Sequence, residues 1–129
     1  MRFLQKLKPK PQELDEMGLV TEQAEFLLDA VKLILKASEM GFTLTGGELY
    51  RTVEQQHIYI QTNRSKTMAS NHLLRCAIDL NFFKDGKLTY DIPLLKPIGD
   101  YWESLHPKNR WGGNWQTFKD VPHFERKVQ

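Results

Sequence analysis

Three short stretches hold the residue types from which a metal-assisted hydrolase is built: Ser70-Asn71-His72, Ala77-Ile78-Asp79 and Asp120-Val121-Pro122-His123. Together they offer two imidazoles and one carboxylate as N/O ligands. Three such ligands with a fourth position open is the arrangement of a catalytic zinc, not a structural one. A spare carboxylate, Asp120, stands three positions before the last histidine. It would serve as general base toward water activated at the metal. Glu125 is its rival, on the same strand face as His123, with a second reading as the partner that holds an imidazole N–H.

Other side chains carry weaker signals. Arg51 is either an ordinary helix-entry cation or a fork for a substrate carboxylate or oxyanion. Ser70 either caps a turn or binds substrate beside the metal. Trp111 and Trp115 read as packing residues, and Gly112-Gly113 permits an unusual backbone path. Cys76 reads as a small buried apolar residue rather than a nucleophile. His57 and His106 read as ordinary helix or loop residues.

The elements that must position these groups follow from local pattern. Residues 1–20 read as an irregular arm, and Thr21 is expected to open a helix. Ala24, Leu27, Leu28, Val31, Ile34 and Leu35 recur at the helical period and define its expected apolar face. Gly41 is its natural stop. Phe42 to Thr45 reads as a short strand. Thr52 with Gln55 fits a capping box, so a helix is predicted from about Val53 to Gln61. Residues 62–71 read as a polar loop. Cys76 to Phe83 reads as a strand with Asp79 on one definite face, followed by an Asp85-Gly86 hairpin returning through Leu88-Thr89-Tyr90. Pro97 is expected to begin a short helix through Leu105, with Trp102 and Leu105 inward. Trp111 to Trp115 reads as a turn or strand entry, and His123 to Glu125 as a final strand. If the strands of Asp79 and His123 are neighbours, opposed Cβ atoms lie about 4.5–5.5 Å apart, close enough to share an ion. His72 joins them only if the chain turns between His72 and Asp79. The pattern predicts an α+β fold: a small antiparallel sheet carrying a zinc site, packed against helices, in a single domain over residues 1–129.

Composition bounds the rest. Hydrophobic residues make up 40%, enough for a core, and one cysteine excludes both a disulfide framework and a Cys-rich zinc site. The net charge of +2 does not suggest nucleic-acid binding. Lys6, Lys8 and Lys10 are interrupted by Pro9 and Pro11 and read as a solvated arm, with weak attraction to an anionic polymer as the lesser reading. No apolar run would span a bilayer, and no secretory signal is visible. Synthesis in the cytoplasm is expected, with help needed to leave it.

These residues resemble the M15 zinc peptidases, a family that includes D-alanyl peptidases of the VanX and VanY types and phage L-alanyl-D-glutamate endolysins. Ser70-x-His72-x4-Ala77-x-Asp79 resembles the signature Ser-x-His-x-x-Gly-x-Ala-x-Asp, and Asp120-x-x-His123 resembles the second signature. Tyr50-Arg51-Thr52 with Gln55 resembles the segment of the family's substrate-facing arginine, and Trp111-Gly112-Gly113-Asn114-Trp115 its Trp-Gly-Gly-Asp-Trp segment. The resemblance covers roughly residues 42–125. It implies Zn2+ held by His72, Asp79 and His123, Asp120 as base, and Arg51 and Ser70 at the substrate. It implies hydrolysis of peptidoglycan stem peptides, with the phage-type L-alanyl–D-glutamate endolysin favoured over a D,D-carboxypeptidase or a non-catalytic wall-binding zinc module. As a phage-type lysin the protein would act at the bacterial wall after release by another factor, as a monomer and without a nucleic-acid partner. Arg75 and Asn114 depart from the signatures, where Gly and Asp are usual.

Overall fold

The long first helix starts earlier than its apolar periodicity suggests. The computed structural model describes residues 11–64 and 70–128, without the side chains of residues 11–17. Helix α1 (Pro11–Glu39) therefore takes in half of the expected arm, and residues 1–10 lie outside the described residues. Pro11 suits a helix's first position, because its fixed φ is already helical and its missing N–H would be unpaired there anyway.

The buried face of α1 is also not the expected one. Phe26, Ala30, Leu33 and Ala37 are buried, whereas Leu27, Leu28, Val31 and Leu35 are each about half exposed or more. Ala24 and Ile34 are exposed with them. The helix carries two apolar stripes, and the one with the small residues Ala30 and Ala37 packs inward, where close approach is required. Phe26 meets Trp102 edge to face at 5.6 Å. The helix ends as expected. Phe42 N–H reaches back to the Ala37 carbonyl and Gly41 takes φ 90°, a left-handed cap that favours glycine.

Strand β1 (Thr43–Gly46) leads to helix α2 (Val53–Gln61), whose cap is the predicted one: the Gln55 N–H donates to Thr52 Oγ1 at 3.1 Å. A 3-10 turn (Asn71–Leu74) precedes strand β2 (Ala77–Lys84). The Asp85-Gly86 turn, with positive φ at both residues, returns the chain as β3 (Lys87–Thr89). Helix α3 (Ile92–Leu105) begins well before Pro97 because Asp91 caps it through the Leu94 N–H. Pro97 lies inside the helix and only removes one internal donor. Strand β4 (Asn109–Trp111), not foreseen from the sequence, leads into a 3-10 turn (Gly112–Asn114), and β5 (His123–Arg126) inserts between β2 and β4.

The fold is α+β. Strand order is β1-β2-β5-β4, all pairs are antiparallel, and β3 also pairs with β2. One face of the sheet packs on α1 and α3 through Phe26, Leu33, Leu80, Phe82, Trp102, Trp111 and Phe124. Each such side chain contributes about 1.5–3 kcal/mol by leaving water. Gly99 and Gly113 flank Trp111, and a Cβ at either would lie 2.0–2.2 Å from its ring. Among the described residues, no helix is long and apolar enough to cross a membrane.

Candidate metal centre and active site

The antiparallel register sets Asp79 of β2 directly opposite His123 of β5. His72 arrives from the 3-10 turn, because Arg75 reverses the chain in the left-handed conformation (φ 55°, ψ 34°). The turn that the sequence reading required between His72 and Asp79 is therefore present. Three atoms converge: His72 Nε2 lies 3.2 Å from His123 Nδ1, His72 Nε2 3.3 Å from Asp79 Oδ1, and His123 Nδ1 3.5 Å from Asp79 Oδ1. With bonds of about 2.0–2.2 Å, three ligands of a tetrahedral ion stand about 3.3–3.6 Å apart. The triangle fits one face of that tetrahedron and leaves the fourth corner open.

The surrounding hydrogen bonds aim the ligand atoms. Gly47 N–H donates to the Asp79 carbonyl and Asp79 N–H to the Glu48 carbonyl, which carries the chain after β1 alongside Asp79. This delivers the Leu49 carbonyl, which accepts from His72 Nδ1 at 3.0 Å and turns Nε2 inward. His123 Nε2 donates to Glu125 Oε1 at 2.7 Å, which turns its Nδ1 inward. Of the two readings of Glu125, the geometry matches the partner that holds an imidazole N–H. It is buried, and Asn71 and Arg110 donate to its other oxygen. Among the described residues, Asp79 Oδ1 is a buried polar atom without a hydrogen-bond partner. A carboxylate oxygen left unpaired between two imidazole nitrogens is what a cation would satisfy.

Electrostatics follow the geometry. Burial resists ionisation of Asp79, but the two imidazoles beside it outweigh this and hold the carboxyl well below its usual range. Burial likewise resists charge on His123, yet the neighbouring Asp79 and Glu125 carboxylates push it up to about 9. Glu125 is drawn down to about 2, its burial outweighed by His123 and Arg110. Asp120 moves the other way: burial raises it. Its Oδ2 lies 3.9 Å from His123 Nδ1, so the spare carboxylate faces the cluster as expected. Its backbone N–H donates to the Gly112 carbonyl, and a Cβ at Gly112 would lie 2.1 Å from the Asp120 carbonyl oxygen.

Arg51 and Ser70 also come together here, with Arg51 Nη1 3.2 Å from Ser70 Oγ. Ser70 also caps the turn through the His72 N–H. Trp115 lies against the His123 ring at 5.1 Å, while Trp111 is fully buried in the core. Cys76 is buried and its thiol is pushed up to about 11 by burial, so it stays protonated. His57 stays outside the site as expected, exposed on α2, and His106 caps the end of α3. Asn114 accepts from Lys96 and donates to Asp100 on α3. The sequence reading missed Glu48, Gln56 and Tyr59 around Arg51. It also missed Asn71 and Arg110 around Glu125. A Glu between Gly47 and the Tyr50-Arg51 pair was the one visible hint.

The family model described as D-alanyl-D-alanine carboxypeptidase, an M15 peptidase family, matches residues 63–126, a span that includes His72, Asp79, Asp120 and His123 but not Arg51. Among solved structures, the chain is similar to an L-Ala D-Glu endopeptidase of Serratia marcescens, ChiX, at 25% identity and a TM-score of 0.61. The match covers 76% of this chain and 77% of that one.

Proposed function

We propose, from the premise that this chain is a member of the M15 peptidase family close to its endolysin type, that it is a zinc peptidase of peptidoglycan stem peptides and cleaves the L-alanyl–D-glutamate bond. The observation that carries this reading is the triangle of His72 Nε2, Asp79 Oδ1 and His123 Nδ1, with an unpaired carboxylate oxygen at one corner.

When bound, zinc supplies a Lewis acid that polarises a carbonyl and acidifies water. Asp120, raised by burial and facing the open corner, takes the proton as water attacks and returns it to the leaving amine. Arg51 donates toward the substrate and supports the developing oxyanion. His72 and His123 are held in one tautomer each by the Leu49 carbonyl and Glu125, which leaves His72 Nε2 and His123 Nδ1 to hold the ion, and with those nitrogens occupied neither ring would compete for that proton. The protein acts at the wall after release from the cell by another factor.

Mass spectrometry of digested muropeptides tests the reading. The expected products carry a new amino terminus on D-glutamate, formation stops with a chelator, and zinc restores it. Asp120→Ala should lower turnover by about 10²–10⁴-fold with zinc still bound. Full activity in that variant would remove Asp120 as base. The description of the matched family favours a second reading, release of terminal D-alanine, which the same spectra would reveal. Zinc uptake with no new product of either kind would leave a wall-binding module.

A further inference from the structure

Arg51 does not present an open fork to the cleft. Its Nε donates to Glu48 Oε1 at 2.5 Å, and Nη2 lies 2.5 Å from the same oxygen. Nη1 donates to Gln56 Oε1 at 2.6 Å and to Ser70 Oγ at 3.2 Å. Glu48 is itself held, because the Tyr59 hydroxyl donates to its Oε2 at 2.9 Å. The Tyr59 ring also lies against the guanidinium at 4.6 Å. Gln56 is fully buried and the Arg51 side chain is 11% exposed. A guanidinium has five N–H donors, and these contacts engage four, leaving one on Nη2.

We infer that Glu48 is a positioning residue. It neutralises Arg51 and fixes its plane, so that Arg51 offers the substrate one directed N–H instead of a two-point clamp for a free carboxylate. This rests on the substrate role proposed for Arg51. The logic is geometric. Glu48 occupies the Nε and Nη2 edge that a carboxylate would otherwise use. Tyr59 and the backbone beside Asp79 hold Glu48 in place, so the arginine cannot swing out without breaking several charge-assisted bonds. Glu48 Oε1 also lies 3.7 Å from His72 Nδ1, which places the fixed guanidinium next to the metal ligands.

A double-mutant cycle on stem-peptide hydrolysis tests this. Glu48→Ala and Arg51→Ala should each lower kcat/KM by about 10–100-fold, and the double variant should be no worse than Arg51→Ala alone. Losses that multiply would overturn the proposal, because Glu48 would then act independently of Arg51. Tyr59→Phe keeps Glu48 but removes its strut, and should cost about 3–10-fold, mainly in KM, with zinc content unchanged. A wild-type KM in Tyr59→Phe would count against the strut, and this variant carries the test if Glu48→Ala does not fold. A readout independent of turnover is the Arg51 Nε–H resonance by NMR. It should exchange slowly with water in the wild type and rapidly when Tyr59→Phe or Glu48→Ala loosens the clamp. An Arg51 signal indifferent to both variants would overturn the positioning role. A wild type that hydrolyses nothing would count against the proposed reaction instead.

Discussion

Strand β5 carries two ionic clusters within four residues, and they are built in opposite ways. At one end, His123 faces Asp79 and His72, with three atoms able to ligate a metal crowded together around a buried carboxylate oxygen. At the other, Arg126 is 1% exposed and surrounded by acceptors. Its Nη2 donates to Asp29 at 2.6 Å, Nη1 to Glu25 at 2.8 Å and Nε to Asn109 at 3.1 Å, while Glu22 lies 3.5 Å away. Asn109 in turn donates to Asp29 and to the Trp102 carbonyl, which ties α1, α3 and β5 into one unit. Burial alone does not mark a functional group. A buried charge whose partners close around it holds elements together. A largely buried set of ligand-type atoms with an open side is poised to take something from outside.

The sharpest way to break this contrast is a crossed pair of substitutions. His72→Ala should lose metal and turnover together, by at least about 10³-fold, which corresponds to about 4 kcal/mol of transition-state stabilisation. Arg126→Met should leave turnover per folded molecule intact. It should cost about 3–5 kcal/mol of stability in urea unfolding, because Asp29 and Asn109 lose their buried partner. A stable but inactive Arg126 variant would erase the distinction.

What was legible in the sequence shares a physical property: it is local. The capping Thr52, the Asp85-Gly86 turn, the Gly41 cap and the alternation that aims Asp79 depend on neighbours a few residues away, and the structure keeps all of them. The convergence of His72, Asp79 and His123 was readable because the residue types narrow the chemistry and the register of two strands does the rest. What was not legible is decided at long range. Both stripes of α1 are apolar, and only the demand for close packing against Trp102 selects the one bearing Ala30 and Ala37. The start of α3 was misplaced because Pro97 reads as a boundary while the cap six residues earlier, Asp91, outweighs it. The cluster on Arg126 joins residues up to 104 positions apart, and no spacing rule announces it. The clamp on Arg51 spans only 3 to 19 positions, but Glu48 and Arg51 lie outside any helix or strand, where spacing does not say which side chains meet.

A smaller effect separates His123 from its support. Glu125→Gln should weaken zinc binding by about 10–100-fold while the three ligands remain. The pH dependence should change with it. His123 is pushed up to about 9, so below that pH a proton competes with the metal for the same imidazole. Affinity measured by chelator competition should therefore rise by about tenfold per pH unit toward pH 9 and then flatten. Glu125→Gln removes one of the carboxylates that raise His123, so the break should move to lower pH. A break that stays in place would mean that Asp79 and Asp120 alone set the proton affinity.

The smallest expected effect concerns Arg75, where the family signature has Gly. Its left-handed backbone (φ 55°) costs a non-glycine residue about 1–2 kcal/mol. Its guanidinium stacks on Tyr50 at 4.1 Å, an exposed contact that contributes about 0.5–1 kcal/mol. The two terms nearly cancel once the greater freedom of glycine in the unfolded chain is included. Arg75→Gly should therefore leave stability within about 1 kcal/mol of the wild type. Arg75→Ala keeps the strain but loses the stacking, and should fall by about 0.5–1 kcal/mol in a thermal melt. If both variants melt as expected but KM for the stem peptide rises, the side chain touches substrate as well as Tyr50. If KM is unchanged, the departure from Gly is a local exchange of backbone strain for an aromatic contact, and the open side of the metal centre begins beyond it.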